Sequence, residues 1–165
     1  MSMSLAHYSP EEVVFLLGGV VQIDGFADGT FITIRKSTPV YETVVSADGK
    51  VSRTQVDNPL YTVTLTLAAT ASSNELLGTV VFADRKTNKA KMPLLIRDHF
   101  GNSLFYASLA WIEGIPDTTY TTEVSSRDWT FSCIGVTNII GGNEGTNPVP
   151  DFLAALGLEG LSALF

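Results

Sequence analysis

Hydrophobic and polar residues alternate strictly along several stretches of the chain. Residues 61–67 read Tyr-Thr-Val-Thr-Leu-Thr-Leu, so an extended strand would carry its apolar side chains on one face and its threonines on the other. Residues 30–35 and 129–134 repeat this period of two. The period is typical of a β-strand with one buried and one polar face, and threonine itself favours strands.

Turn-forming residues separate pairs of strand-like stretches and predict three hairpins. The pairs are residues 40–45 and 51–55 around Asp48-Gly49, 92–97 and 104–112 around residues 99–103, and 13–17 and 20–23 around Gly18-Gly19. Asp-Gly and Gly-Gly supply the left-handed backbone that tight turns need. We therefore predict a mainly β fold, an antiparallel barrel or sandwich.

One segment changes from a period of two to a helical period. Leucine and valine recur at helical spacing from Leu76 to Val81, and Ser72 with Glu75 matches the capping-box pattern at a helix start. Basic residues lie near the other end, where cations are favoured. The sequence predicts an α-helix over about 72–86 that covers one opening or face of the sheet.

The composition changes again after Ile140. Residues 141–150 are rich in glycine, asparagine and proline, as in a linker, and an apolar stretch follows from Phe152 to Phe165. We predict two units, a β-barrel domain over 1–143 and a linker with an apolar C-terminal segment over 144–165. Such a segment usually docks, either on its own domain or on a neighbouring copy.

Charge is sparse and acidic. Of 165 residues 45% are hydrophobic and only 16% are charged, with a net charge of −7. Sparse charge suggests that partners cover part of the surface, and acidity disfavours tight binding of nucleic acid. No signal peptide or membrane-length apolar run is visible, so we expect no membrane contact and folding in a cytoplasm.

Residues suited to catalysis are few. The histidines are His7 and His99, and no cluster has metal-ligand spacing, so we predict neither an enzyme nor a metal or other cofactor. Cys133 lies in an alternating strand and is expected to be a buried structural thiol. Two alternatives remain open: an enzyme using Asp98, His99 and Ser103, and a ligand-binding β-sandwich.

Several short strings resemble, in order, segments of the tail tube (major tail structural) protein family of contractile-tailed bacteriophages. They are GFADGTFITI (25–34), ADGKVSR (47–53), ASSNELL (71–77), MPLLIRD (92–98), AWIE (110–113), RDWTF (127–131) and GGN (141–143). Together they span about residues 8 to 143, and the extension from 144 to 165 departs from the family pattern. The resemblance implies a fold shared with the type VI secretion tube protein.

The same resemblance implies a structural role in the virion. Six copies would form a ring, and rings would stack into a tube inside a contractile sheath that conducts DNA during ejection. The implied partners are the sheath protein, baseplate and tail terminator proteins, and a tape measure protein and DNA passing through the lumen, with assembly in the host cytoplasm. A type VI-like tube or a tail terminator protein is the nearest alternative function.

Assembly contacts would come from exposed segments at the ends of the chain and from the hairpin at Asp48. The residues that we predict at contacts between copies or rings are Tyr8, Tyr41, Glu42, Asp48, Lys50, Arg53, Phe152, Leu156 and Phe165. Those predicted to face a lumen are Glu42, Asp48, Thr62 and Thr64. An electronegative lumen would repel phosphate and keep DNA from adhering.

Overall fold

The structure is a computed structural model that describes residues 8–142, 154–158 and 160. A short 3-10 turn, Pro10–Glu12, precedes the first strand. The strands are β1 (Val13–Leu17), β2 (Val21–Ile23), β3 (Ile32–Lys36), β4 (Tyr41–Val45), β5 (Val51–Gln55), β6 (Tyr61–Ala68), β7 (Met92–Asp98), β8 (Leu104–Gly114) and β9 (Ser126–Ile139). The helix α1, Ser73–Thr87, lies between β6 and β7.

Seven of these strands form one antiparallel sheet in the order β2-β1-β7-β8-β9-β6-β3, and β4 pairs with β5 alone. The mainly antiparallel β prediction is confirmed, as are all three hairpins: β1–β2, β4–β5 and β7–β8. In β6, Val63, Leu65 and Leu67 are fully buried and the intervening threonines are not. The alternation of the sequence therefore marks the inner and outer faces of this sheet.

The sheet is strongly rolled. The Phe15 ring on β1 and the Phe131 ring on β9 have centroids 5.5 Å apart. In a flat sheet two strands separated by β7 and β8 would be about 14 Å apart. The rings meet because the inner face curves into a partly closed barrel, whose interior is filled by the buried side chains of β1, β2 and β6 to β9.

The helix covers one end of this barrel. Leu77 is fully buried in the core, and Leu76 and Val81 pack against it. Asn74 provides the polar link: its Nδ2 donates to the carbonyl oxygens of Ala68 and Ala71 at 2.9 and 3.0 Å. Its Oδ1 accepts a hydrogen bond from Trp129 Nε1 on β9 at 3.0 Å. The helix start is thereby fixed to two strands of the sheet.

The helix begins within one residue of its predicted start, but the capping-box prediction is wrong. Ser72 has helical backbone angles, φ −64° and ψ −24°, and makes no side-chain cap. An N-cap residue needs an extended backbone to direct its oxygen at the first turn, which this conformation prevents. The neighbouring Ser73 hydroxyl instead donates to the Asp24 carbonyl at 2.9 Å and accepts from the Asp24 N–H at 3.2 Å.

Replacing Asn74 with alanine should destabilise the fold. The Ala68 and Ala71 carbonyls keep backbone partners, whereas the buried Trp129 N–H loses its acceptor. We expect the free energy of unfolding to fall by about 2–3 kcal/mol, measured by urea denaturation followed by tryptophan fluorescence. The control is Thr79→Ala, which removes an exposed hydroxyl of the same helix and should change stability by less than about 0.5 kcal/mol. Equal effects of the two changes would contradict the role of Asn74.

Candidate functional site

Asp98 is the last residue of β7, and His99 and Ser103 follow in the β7–β8 turn. The side chains of Asp98 and Ser103 have structural contacts. The Ser103 hydroxyl donates to the Gly141 carbonyl at 3.0 Å and accepts from the Gly141 N–H at 3.1 Å. Asp98 Oδ1 accepts from the backbone N–H of Phe100 at 3.0 Å, an interaction that closes the turn. Ser103 therefore holds the end of β9 beside the turn, and this use of the hydroxyl does not favour the enzyme alternative.

The glycines that follow Asp24 and Asp28 allow close turns between β2 and β3. Gly25 and Gly29 both adopt positive φ, 84° and 83°, as two Asp-Gly turns require. A Cβ at Gly25 would lie 2.4 Å from the Ala71 Cβ, so glycine also allows close packing against the residues before α1.

Within the part of the chain that the structure describes, no three metal-ligating side chains cluster, and no helix is long and apolar enough to cross a bilayer.

Cys133 lies in the barrel interior, as predicted, and is fully buried. Burial raises the pKa of its thiol from 9.0 to about 12 because the surrounding apolar side chains disfavour the thiolate. The thiol is thus protonated at neutral pH and packs as a small apolar group.

The β4–β5 hairpin is the most exposed part of the fold. All ten residues of its strands are exposed, and the strands pair only with each other. Each strand is about 17 Å long, and an isolated two-stranded hairpin is marginally stable in water. A hairpin of this kind gains stability when another surface packs against it.

The hairpin extends the β3–β6 pair through an irregular joint. β3 and β6 pair up to Lys36 and Tyr61, and the β4–β5 ladder begins at Tyr41 and Gln55. The two ladders differ in register by one residue, so the joint contains one more residue between β5 and β6 than between β3 and β4. Pro39 and Pro59 lie in the joint, where proline cannot donate to a ladder.

Short contacts within the hairpin order several predicted contact residues. The Arg53 guanidinium lies over the Tyr41 ring, 4.1 Å from its centroid. Lys50 Nζ and Asp48 Oδ2 are 3.3 Å apart at the tip, and Asp48 Oδ1 also accepts the Lys50 N–H. Asp48 therefore shapes the turn, whereas Glu42 is exposed near the start of β4.

Thr62 and Thr64 lie on the outer face of the sheet, half-buried and away from the core. Thr64 pairs across the strands with Thr33 on β3 and Thr130 on β9, which forms a row of three threonines. Around β6 this outer face is polar, and Arg35 and Asp128 are the charged residues paired with its threonines. Its alternation is confirmed, and its placement toward a lumen stays a prediction.

Both ends of the sheet are open edges. β3 ends one side, and the register with β6 directs the backbone groups of Ile32, Ile34 and Lys36 away from β6. β2 is the outermost strand on the other side of the sheet. It pairs only with residues 15–17, so the first two residues of β1 have no neighbouring strand on that side. Unpaired edges of this kind are templates for strands of another chain.

An apolar groove of about 380 Å³ lies where the rolled sheet fails to close. Val13 of β1 and Ile32 and Ile34 of β3 form its sides, and the core residues Ile96 and Phe105 reach its floor. It lies at the barrel end opposite the helix, because its lining includes Leu104 and Ile139 at the far ends of β8 and β9. Nothing in the local sequence pattern predicts this groove, which depends on how the sheet rolls.

The predicted terminal contact residues are partly described. Tyr8 is exposed and lies at the groove. Leu156 is 56% exposed, and Phe152 and Phe165 lie outside the described residues. The structure thus brings Tyr8, but not the hairpin residues, to the groove.

Comparisons with known proteins find similarities in sequence and in fold. No family model matches the chain. The chain is 28% identical over 160 residues to Structural protein ORF10 of Pseudomonas phage KPP10, with 92% of each chain covered.

Two solved structures share the fold. One is a chain of the anti-feeding prophage cap, described as the AFP tube terminating cap, with a TM-score of 0.56, 14% identity and coverage of 84% of this chain and 95% of that chain. The other belongs to the virion of a native gene transfer agent particle, with a TM-score of 0.51, 13% identity and coverage of 81% and 100%. The rolled sheet and its helix therefore occur in components of phage-like particles.

The Cys133 thiol should make stability depend on pH above neutrality. The unfolded thiol loses its proton above about pH 9 and the folded thiol keeps it, so the stability contribution is complete below pH 9 and is lost as pH rises toward 12. Between pH 8 and pH 10 the wild type should lose about 1.4 kcal/mol more than the Cys133→Ala variant in urea denaturation. Parallel losses in the two proteins would mean that the thiol ionises equally in both states.

Proposed function

We propose that this chain is a structural, non-enzymatic subunit of a tailed-phage particle that assembles as a ring on the axis of the tail tube. The observation that carries this proposal is the likeness, over nearly the whole chain, to a phage structural protein. The fold shared with chains of two phage-like particles supports it. The virion is accordingly the proposed location, with assembly in the cytoplasm of a host bacterium.

Two positions on the tube are open to such a ring. The resemblance of the sequence strings favours a subunit of the tube wall, and the fold shared with the anti-feeding prophage chain favours a ring that terminates the tube. We favour the terminating ring, because the solved structure with the higher TM-score of the two is described as a tube terminating cap. The two roles differ physically: a wall subunit stacks on itself, whereas a terminator presents a face that does not.

The exposed surfaces supply a physical basis for ring formation. A ring needs a heterologous contact, in which one surface of each copy meets a different surface of the next. The β4–β5 hairpin and the open edges of β3 and β2 are two distinct surfaces that lack partners within the described chain. Pairing of neighbouring copies there would stiffen the hairpin and remove the open edges.

Acidity suits a conduit for DNA. The net charge of −7 per copy is multiplied around a ring, and negative potential at a bore lowers the affinity for phosphate. We place Glu42 and Asp48 of the hairpin and the threonine face at Thr62 and Thr64 toward this bore. Contacts with the sheath or the baseplate would involve other surfaces of the assembled ring, whereas the tape measure protein would pass through the bore.

Electron microscopy of the concentrated, purified full chain tests the proposal. We expect closed rings, six copies being the number implied by the sequence resemblance. Rings that remain single would support the terminator, and stacked rings would assign the chain to the tube wall instead. A protein that stays monomeric at high concentration would overturn both roles, and a ring reconstruction with Glu42 and Thr64 on its outside would overturn their placement at the bore.

The hairpin should contribute to assembly without contributing to the core. Val45 and Val51 face each other near its tip and are 64% and 67% exposed. Replacing both with serine should raise the concentration for ring formation by at least about tenfold, since burying such side chains contributes more than 1.4 kcal/mol.

A matched control separates assembly from general surface effects. Phe82 on α1 is 65% exposed, so Phe82→Ser removes a comparable apolar side chain from a different surface. Sedimentation velocity should show unchanged assembly for this variant, and the melting temperature of both variants should match that of the wild type. Equal assembly by the hairpin variant and the wild type would exclude the hairpin from the contact.

A further inference from the structure

The groove at the open end of the barrel is an exposed part of the hydrophobic core. Ile96 and Phe105, which reach its floor, are 6% and 2% exposed, so the groove continues the packed interior to the surface. A cavity of about 150 Å³ in a protein core already binds a benzene ring. A groove of about 380 Å³ can therefore accept more than one apolar side chain. Its sides are the start of β1, beyond the stretch that pairs with β2, and the open edge of β3, so a bound segment could also meet the outward backbone groups of Ile32 and Ile34.

The C-terminal segment of this chain, residues 152–165, has the composition that fits this groove. Between Phe152 and Phe165 the side chains are almost all apolar or small, and Glu159 is the only charged one. In the described part, residues 154–158 are all exposed, including Leu156 at 56% and Leu158 at 45%. None of these five residues lines the groove of its own chain.

The path of the chain brings this segment near a groove. β9 ends at Ile139, and Ile140, which is 87% exposed, lies at the groove rim. The ten residues from Gly142 to Phe152 can span up to roughly 33 Å when extended. A domain of this size has a radius of gyration of roughly 14 Å, so the segment can reach an adjacent copy.

We propose that the C-terminal segment, residues 152–165, of one copy docks in the apolar groove of a second copy. The chain passes the groove at Ile140, and Leu156 and Leu158 are exposed in the single chain, so exchange between neighbours would bury both apolar surfaces. The contact is heterologous and can repeat around a ring. This inference rests on the proposed function, which supplies the neighbouring copies. It adds that the C-terminal segment and the groove are the two surfaces that join them.

Cysteine crosslinking tests the contact in the full chain. One variant carries Ala155→Cys in the segment and the other Asn138→Cys at the groove; native Cys133 is buried and has a raised pKa, so it does not compete. After the two proteins are mixed, a short bismaleimide should give a heterodimer. Docking raises the effective concentration of the thiols, so the reaction should be about a hundredfold faster than for the control pair.

The control pair is Ala155→Cys with Ala83→Cys, an exposed position on α1. Equal crosslinking to Ala83 and Asn138 would overturn the proposal. An internal crosslink in the Ala155→Cys, Asn138→Cys double variant, without a heterodimer in the mixture, would mean that each segment fills its own groove. Preferential crosslinking of Ser4→Cys to Asn138→Cys would assign the groove to the N-terminal arm. Either result would also overturn the proposal.

A groove variant and electron microscopy complete the test. Ile34→Asp places a charge at the groove side and should abolish the crosslink, and circular dichroism shows whether the variant remains folded. Persistence of the crosslink in folded Ile34→Asp would exclude the groove as the docking site. Rings that form without the crosslink would overturn this contact alone, whereas absence of both rings and crosslink would overturn the proposed function as well.

Discussion

The need to cover the inner face of one rolled sheet determines much of this structure. Seven strands curve until Phe15 and Phe131 meet, and the apolar interior that results has two open ends. The helix α1 closes one end, where Leu77 enters the core and Asn74 satisfies the Trp129 N–H. The other end is left as an apolar groove between the start of β1 and the open edge of β3. Folding of a single copy therefore covers one end of the apolar interior and leaves the other end open.

The polar contacts follow from this arrangement. A buried indole N–H without an acceptor would cost about 1–3 kcal/mol, so a polar residue at the helix start is required where Trp129 faces the interior. Asn74 meets this requirement and also ties down the turn between β6 and α1. Ser103 has a comparable role at the other end, where its hydroxyl holds Gly141 and so directs the chain past the groove.

Local patterns predicted the elements well and their assembly less well. The alternation at residues 61–67 identified β6 and its buried face, and the helical spacing after Ser72 placed α1 within one residue. The cap was wrong because the anchoring of Ser73 and Asn74 depends on Asp24 and Trp129, which are remote in sequence. The groove depends in the same way on the roll of the whole sheet, and a short-range period carries no information about that.

The hairpin and the groove are costly features for an isolated protein. An exposed two-stranded hairpin is only marginally stable, and an apolar groove flanked by an open edge favours uncontrolled association. Both costs fall if copies associate with fixed geometry, because one set of contacts orders the hairpin and another fills the groove. Sparse surface charge is consistent with such coverage, since only 16% of the residues are charged. The features that are least favourable in the single chain are thus the ones that a ring of copies would use.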